Sequence, residues 1–309
     1  MFKDCFKYYK SRNPPPNLEN VLDLDNPDLN KVIKVPNKIT ELPPADCLGL
    51  KPISSWKVYE FVQIPGLIFI KNPFTPAGQR YWITKCLKDY SKKPSKSNID
   101  AHNLLLDNET WWDVCTTDKK RAINLISKLR WATLGYHHNW DTKHYSEDSK
   151  SEIPSDFVEL SRILAKSVGF MNFNAEAAII NYYQMNSTLA GHIDHSEMNM
   201  EAPLISISFG LTAIFLIGGY TIEDPAYPIF LNSGDVVIMS GASRLKYHGV
   251  PKILSVTDPI WDDDLEKSPE ILNNSNDWYK ARRLIAGIRI NMNVRQVLKE
   301  GQSCLLMKT

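Results

Sequence analysis

Short runs of β-branched and aromatic residues dominate the chain after Ala175. The runs are bounded or interrupted by Gly, Asn and Pro: AAIINYYQM, APLISISFG, TAIFLIGGY, PIFLNSGDVVIMSG and RLIAGIRINMNVRQVL. Such runs are typical of β-strands joined by turns. They predict a mainly β core over residues 171–300, with a long polar insertion before the last strand.

Helical periodicity is concentrated in residues 56–170. Apolar residues recur at helical spacing in PAGQRYWITKCLKDYSKK, in KKRAINLISKLR and in PSDFVELSRILAKSVGF. Gly169 is expected to end the last of these helices. The stretch PGLIFIKNPF predicts a short buried strand closed by a turn. We therefore expect helices that support the β core, together with a loop and hairpin between residues 131 and 150.

The two ends of the chain have a different character. Residues 1–55 carry a PPP run and many Asn and Asp residues, which predicts an extended arm that wraps the body or is partly disordered. The start, MFKDCFKYYKSR, could open an amphipathic helix. Residues 301–309 form a tail.

Composition excludes several classes of protein. A net charge of +1 does not indicate a protein that coats nucleic acid through a strongly basic surface. Five widely spaced cysteines without a CxxC pair argue against a disulfide scaffold and a zinc ribbon. No apolar run approaches the roughly 18 residues of a membrane span. We expect an intracellular monomer in the nucleus, mitochondrion or cytoplasm.

Candidate metal ligands occur in GHIDHSEMNM. In a strand, His192 and Asp194 would project to the same face and His195 to the other. An antiparallel neighbour could bring His248 beside them. Two imidazoles and one carboxylate form the facial triad of non-haem Fe(II) oxygenases, whereas a zinc hydrolase needs a tetrahedral site with one water. The alternative is that these are incidental surface histidines.

The last strand, IRINMNVR, combines one apolar face with one face of amides and guanidinium groups. Its polar face holds Arg289, Asn291, Asn293 and Arg295. An arginine fork binds a carboxylate through two parallel hydrogen bonds. If the cosubstrate is 2-oxoglutarate, Arg289 can hold its distal carboxylate and Arg295 can pair with Asp194. An ordinary edge strand with a wet face is the alternative.

The order N-x-Y, H-x-D, distal His and R-x-N-x-x-x-R resembles that of the AlkB family of Fe(II)/2-oxoglutarate dioxygenases. The resemblance implies a double-stranded β-helix, or jelly-roll, core with flanking helices, an α+β arrangement. It implies iron binding by His192, Asp194 and His248. It also implies 2-oxoglutarate binding by Asn181, Tyr183, Arg289, Asn291 and Arg295. The family often has Thr where this chain has Asn293.

The resemblance also implies a substrate site, with a nucleotide-recognition lid within residues 56–170. A methylated base must leave its stack or already be unpaired, and it needs an aromatic platform. Tyr136 matches the family's stacking position and Trp140 lies nearby, although both could be hairpin core residues. Glu197 and Arg244 are further candidate substrate contacts.

The reaction implied is oxidative demethylation of nucleic acid. It releases formaldehyde, succinate and CO₂, with ascorbate as reductant in vitro. Leading substrates are N1-methyladenine in tRNA and N6-methyladenine in DNA, in unpaired or structured strands. Two alternatives stay open: an oxygenase acting on histones with the same iron core, and a non-catalytic nucleic-acid-binding module with a structural metal.

Overall fold

A computed structural model describes residues 1–41, 48–262 and 275–305. Its helices are α1 (Phe2–Lys10), α2 (Pro76–Lys88), α3 (Trp111–Thr117), α4 (Lys119–Leu125), α5 (Ser155–Ser167) and α6 (Ser275–Ile285). Its strands are β1 (Val32–Val35), β2 (Lys57–Phe61), β3 (Leu67–Lys71), β4 (Lys96–Ser97), β5 (Trp131–Gly135), β6 (Ala177–Gln184), β7 (Leu189–His192), β8 (Leu204–Gly210), β9 (Thr212–Ile217), β10 (Tyr227–Leu231), β11 (Val236–Met239), β12 (His248–Leu254) and β13 (Ile288–Arg295).

The strands form two antiparallel sheets. The major sheet has the order β1-β2-β3-β11-β8-β13-β6-β5-β4, and the minor sheet has the order β10-β9-β12-β7. Apolar side chains from both sheets meet between them, including Leu204 and Val237 of the major sheet and Ile217 and Leu231 of the minor sheet. This is the jelly-roll core that the family resemblance implied.

Helices cover the second face of the major sheet. Ile290 and Met292 of β13 are fully buried there against side chains of α2, α5 and α6. Since β13 lies between β8 and β6, it is a central strand, and its polar face is also enclosed. The possibility of an edge strand with a wet face is therefore excluded.

The structure adds secondary structure to the segments that the sequence outlined. Residues 1–55 contain a docked helix and a strand of the major sheet, and Phe2 and Val32 are buried. Five strands before residue 171 also belong to that sheet, so the β core is not confined to residues 171–300. The start of the predicted last strand, RLIAG, is helical as far as Ile285.

Residues 263–274 of the polar insertion and residues 306–309 of the tail lie outside the described residues. Within the described parts of the chain, no helix is both long and apolar enough to cross a membrane.

Candidate metal centre and cosubstrate pocket

His192 and His248 lie side by side on neighbouring strands of the minor sheet. β7 ends at His192 and β12 begins at His248, and the two residues are direct antiparallel partners. Asp194 lies two residues beyond the end of β7. Its Oδ1 is 3.9 Å from His192 Nε2 and its Oδ2 is 3.6 Å from His248 Nε2. Three potential metal ligands therefore converge within 4.8 Å of one another.

Both imidazoles are oriented through their second nitrogen. Nδ1 of His192 lies 3.0 Å from the carbonyl of Ala190, and Nδ1 of His248 lies 3.1 Å from that of Lys246. When Nδ1 donates to a carbonyl, Nε2 keeps its lone pair for a metal. Burial, followed by the neighbouring imidazole, lowers the pKa of His192, which favours the neutral, metal-binding form.

The carboxylate ligand is held by buried charges. Arg295 Nη2 is 3.1 Å from Asp194 Oδ1. Burial alone would raise the pKa of Asp194, but Arg295 and His248 outweigh it and hold that pKa well below its ordinary value. Asp194 is therefore ionised, as a metal ligand must be.

A second carboxylate completes this network behind the ligand. Glu197 accepts from Arg295 Nε and from Arg244 Nη2, each at 2.8 Å. Arg244 Nη1 also donates to the backbone carbonyl of Asp194 at 2.8 Å. The network thus fixes both the side chain and the backbone of Asp194.

Arg289 lies in a different environment on the same strand face. It is 1% exposed, and its Nη2 donates to Ser208 Oγ at 2.9 Å. Its Nε and Nη1 are buried without a hydrogen-bond partner. Leaving buried donors unpaired is costly, and burial lowers the pKa of Arg289 to about 10. Such a guanidinium is suited to an anionic ligand.

The arginine and the histidines line one small pocket between the sheets. Its walls include Tyr183, His192, His248, Arg289 and Asn291. A ligand that chelates a metal at one end and carries a carboxylate at the other would satisfy both groups. The orphaned Arg289 donors and the two-nitrogen, one-carboxylate set therefore fit Fe(II) and 2-oxoglutarate.

Two serines that contact residues of this pocket were missed from the sequence. Ser208 binds Arg289, and Ser206 Oγ accepts from Asn291 Nδ2 at 2.7 Å. The alternation in LISISFG places both hydroxyls on one face of β8. That signal was available, but only the pairing of β8 with β13 shows what the hydroxyls contact.

Comparison with known proteins agrees with this geometry. The family model for the 2OG-Fe(II) oxygenase superfamily matches residues 66–295. Nucleic acid dioxygenase ALKBH1 of Mus musculus is 38% identical, over 97% of this chain and 85% of the relative. The chain belongs to the 2OG-Fe(II) oxygenase superfamily.

Two further relatives are similarly complete. The tRNA demethylase abh1 of Schizosaccharomyces pombe is 33% identical, over 88% of this chain and 90% of the relative. The DNA N(6)-methyladenine demethylase ALKBH1A of Arabidopsis thaliana is 30% identical, over 82% of this chain and 81% of the relative. The chain is thus an AlkB-type 2OG-Fe(II) oxygenase, and membership of this superfamily implies Fe(II) and 2-oxoglutarate as cofactors.

As an oxygenase of this superfamily, the chain needs an entrance to its metal. A cavity of about 330 Å³ opens onto the metal centre. The hairpin after β5 contributes His138, Trp140, Lys143 and Tyr145 to its lining. Trp140 was predicted to contact substrate. His138 and Tyr145 were not, although both belong to the same aromatic stretch, YHHNWDTKHY.

The predicted 2-oxoglutarate residues divide between the two spaces. Tyr183, Arg289 and Asn291 line the inner pocket, whereas Asn181 and Arg295 line the outer cavity. Asn293, which stands where the family often has Thr, borders both. His195, expected to point away from the metal, is exposed, with Nδ1 2.9 Å from the carbonyl of Ile193.

Two of the residues predicted to contact substrate, Tyr136 and Arg244, are not among those that line the outer cavity. Tyr136 packs in an apolar cluster with Ala177 and Val297, and its hydroxyl donates to Glu147, so it is a core residue of the hairpin. Arg244 is 2% exposed and turns inward to its carboxylate and carbonyl partners. Glu197 borders the outer cavity, but both of its carboxylate oxygens are already engaged.

Proposed function

We propose that this protein is an Fe(II)/2-oxoglutarate-dependent dioxygenase that removes methyl groups from nucleobases. The leading substrates are N1-methyladenine in tRNA and N6-methyladenine in DNA, preferably in unpaired or structured strands. Arg289 is the observation that carries the proposal. A buried guanidinium with two free donors, in one pocket with a metal-ligand triad, supports binding of a keto diacid. A merely structural metal has no need of such an anchor.

Each part of the site has a separate task. When bound, iron and 2-oxoglutarate would supply the oxidation together with dioxygen, the oxidant whose two oxygen atoms enter succinate and formaldehyde, while 2-oxoglutarate loses CO₂ and the methyl group leaves as formaldehyde. His192, Asp194 and His248 would hold the metal, and Arg289 would hold the distal carboxylate. Tyr183, whose ring centroid lies 5.4 Å from the Arg289 guanidinium carbon, and the other side chains around the inner pocket would exclude water from that contact and so strengthen it.

The lining of the outer cavity suits a nucleic acid, whose bases are planar and whose backbone is negatively charged. Trp140 is 46% exposed, and its ring centroid lies 4.6 Å from that of His138 and 5.1 Å from that of Trp131. Such rings can stack on an unpaired base. Lys143 at the same cavity offers a cation to a neighbouring phosphate. The names of the relatives, which include a tRNA demethylase and a DNA demethylase, agree with this substrate class.

The decisive experiment compares substrates side by side. Protein with Fe(II), 2-oxoglutarate and ascorbate is incubated with methylated tRNA and with methylated unpaired DNA, and mass spectrometry follows loss of each methyl mark. Asp194→Ala should abolish turnover and leave retention of nucleic acid largely intact. Equal loss of both would contradict the separation between metal centre and substrate surface.

The same assay distinguishes the alternatives. Demethylation of a methylated histone peptide, with nucleic acids untouched, would identify a protein oxygenase. Absence of succinate after anaerobic loading and exposure to oxygen would favour a nucleic-acid-binding module with a structural metal.

We further propose that the protein acts as a monomer inside the cell. The described cysteines Cys5, Cys86, Cys115 and Cys304 are free thiols, which suits a reducing compartment.

A further inference from the structure

Helix α1 packs on the outer face of the minor sheet, behind the metal centre. Phe2 and Tyr9 of α1 form an apolar cluster with Ile214 and Leu216 of β9. Phe2 is 1% exposed. Adjacent strand residues project to opposite faces. Gly191, immediately before the ligand His192, is therefore on the face that α1 covers.

The Phe2 ring fills the space left by two glycines. A Cβ atom on Gly191 would lie 2.4 Å from Phe2 Cε1, and one on Gly218 would lie 3.0 Å from Phe2 Cδ2. The ring also makes an edge contact with Tyr247, at 6.0 Å between centroids. Tyr247 immediately precedes the ligand His248. One ring thus contacts the residues preceding both imidazole ligands.

Hydrogen bonds fix the depth of this ring. The backbone N–H of Phe2 donates to the carbonyl of Asp224 at 2.8 Å. Asp224 lies in the connection between β9 and β10. At the start of that connection, Gly218 N donates to the Tyr247 carbonyl at 2.7 Å. Beyond the other end of α1, Lys252 Nζ of β12 donates to the carbonyl of Ser11 at 2.8 Å. The helix is therefore tied to the strand that carries His248.

We propose that Phe2 is a positioning residue for the two imidazole ligands. Its ring, held against Gly191 and Tyr247, sets the separation of β7 and β12 where the imidazole centroids are 4.3 Å apart. Close-packed interiors transmit such constraints, and a void behind the strands lets them relax. This inference rests on the proposed metal centre.

The test measures Co(II) binding to the full chain, followed by the visible absorbance of the bound metal. Wild type should bind Co(II), and His192→Ala should not. Phe2→Ala should weaken Co(II) affinity about 10- to 100-fold, the range found when residues that orient metal ligands are lost. The matched control is Tyr9→Ala, because Tyr9 is 4% exposed on the same helix but lies about 10 Å further along its axis. It should change Co(II) affinity little.

Equal losses in the two variants, at similar unfolding temperatures, would show that α1 acts only as general support and would overturn the proposal. Wild-type affinity in Phe2→Ala would overturn it as well and leave the proposed function intact. Failure of wild type itself to bind Co(II) would end both. If Phe2→Ala does not fold, Phe2→Leu takes its place, because it keeps the cluster largely filled but removes the ring. Phe2→Leu should still weaken Co(II) binding more than Tyr9→Ala does.

A double-mutant cycle tests the contact itself. Gly191→Ala alone should weaken Co(II) binding, because its methyl group meets the Phe2 ring. In the Phe2→Ala background the methyl group has room, so its effect should be smaller. Additive effects of the two substitutions would show that the ring does not act through Gly191.

Discussion

Replacing Arg289 should raise the stability of the ligand-free protein and weaken its binding of 2-oxoglutarate. Arg289 is 1% exposed, with Nε and Nη1 unpaired, and burial lowers its pKa from 12.5 to about 10. Since one pKa unit corresponds to about 1.4 kcal/mol, this burial destabilises the folded protein by on the order of 3 kcal/mol below pH 10. Arg289→Met removes the charge and loses the hydrogen bond to Ser208 and the contact with the Tyr183 ring, so the ligand-free variant should be about 1–3 kcal/mol more stable than wild type.

Binding of 2-oxoglutarate should change in the opposite direction. Removing one partner of a buried charge pair costs about 2–5 kcal/mol, which corresponds to roughly 30- to several-thousand-fold weaker binding. Chemical denaturation measures the first effect, and titration of succinate formation with 2-oxoglutarate measures the second. A monocarboxylate analogue, 2-oxopentanoate, should bind wild type much more weakly than 2-oxoglutarate does. Arg289→Met should reduce that difference.

A matched substitution of an arginine outside the pocket controls for the general effect of replacing arginine with methionine. Arg282 is about half exposed on α6 and pairs with Asp262, so Arg282→Met should change the unfolding free energy by less than about 1 kcal/mol. It should leave the 2-oxoglutarate requirement unchanged. A destabilised Arg289→Met variant that still binds 2-oxoglutarate as wild type does would refute the assignment of Arg289.

Three further outcomes follow from the site and its hairpin. Trp140→Ala should raise the KM for nucleic acid roughly 5- to 150-fold through lost base stacking and leave the 2-oxoglutarate requirement unchanged; an unaltered KM would exclude Trp140 from the platform. Glu197→Gln should lower the free energy of unfolding by about 3 kcal/mol, because it leaves buried arginines underpaired, whereas the exposed Glu201→Gln should have little effect. Burial lowers the pKa of His137 from 6.5 to about 4, so stability present above pH 6.5 should be lost as the pH falls toward 4, and a His137→Gln variant with the wild-type pH dependence would contradict this.

The sequence was most informative where chemistry and periodicity coincide. H-x-D and the alternation of IRINMNVR indicated which side chains share a face, because strand geometry has a period of two. The hairpin after β5 was harder to interpret. Its aromatic residues are closely spaced, and a turn does not have the fixed period of a strand. Tyr136 therefore lies in the core, while Trp140 and Tyr145 lie at the cavity.

The N-terminal segment shows a second limit. Its prolines and amides indicated an extended arm, yet Phe2 and Val32 are buried against distant parts of the chain. Burial of single apolar residues in an irregular segment depends on long-range contacts. Local composition contains little information about such contacts. The glycines that admit Phe2 are equally ambiguous in sequence, since their role depends on a ring contributed from another segment.

The two arginines of β13 show why site chemistry needs the tertiary structure. They are six residues apart on one strand face, and the sequence suggested Arg289 for the distal carboxylate and Arg295 for Asp194 without showing what surrounds either guanidinium. Arg295 faces Asp194 and Glu197, which raise its pKa despite burial, and its charge is compensated within the protein. Arg289 donates to the Ser208 hydroxyl and lies over the ring of Tyr183, and burial lowers its pKa despite the opposing effect of the Asp235 carboxylate. One guanidinium therefore stabilises a metal ligand, while the other retains free donors for an external anion.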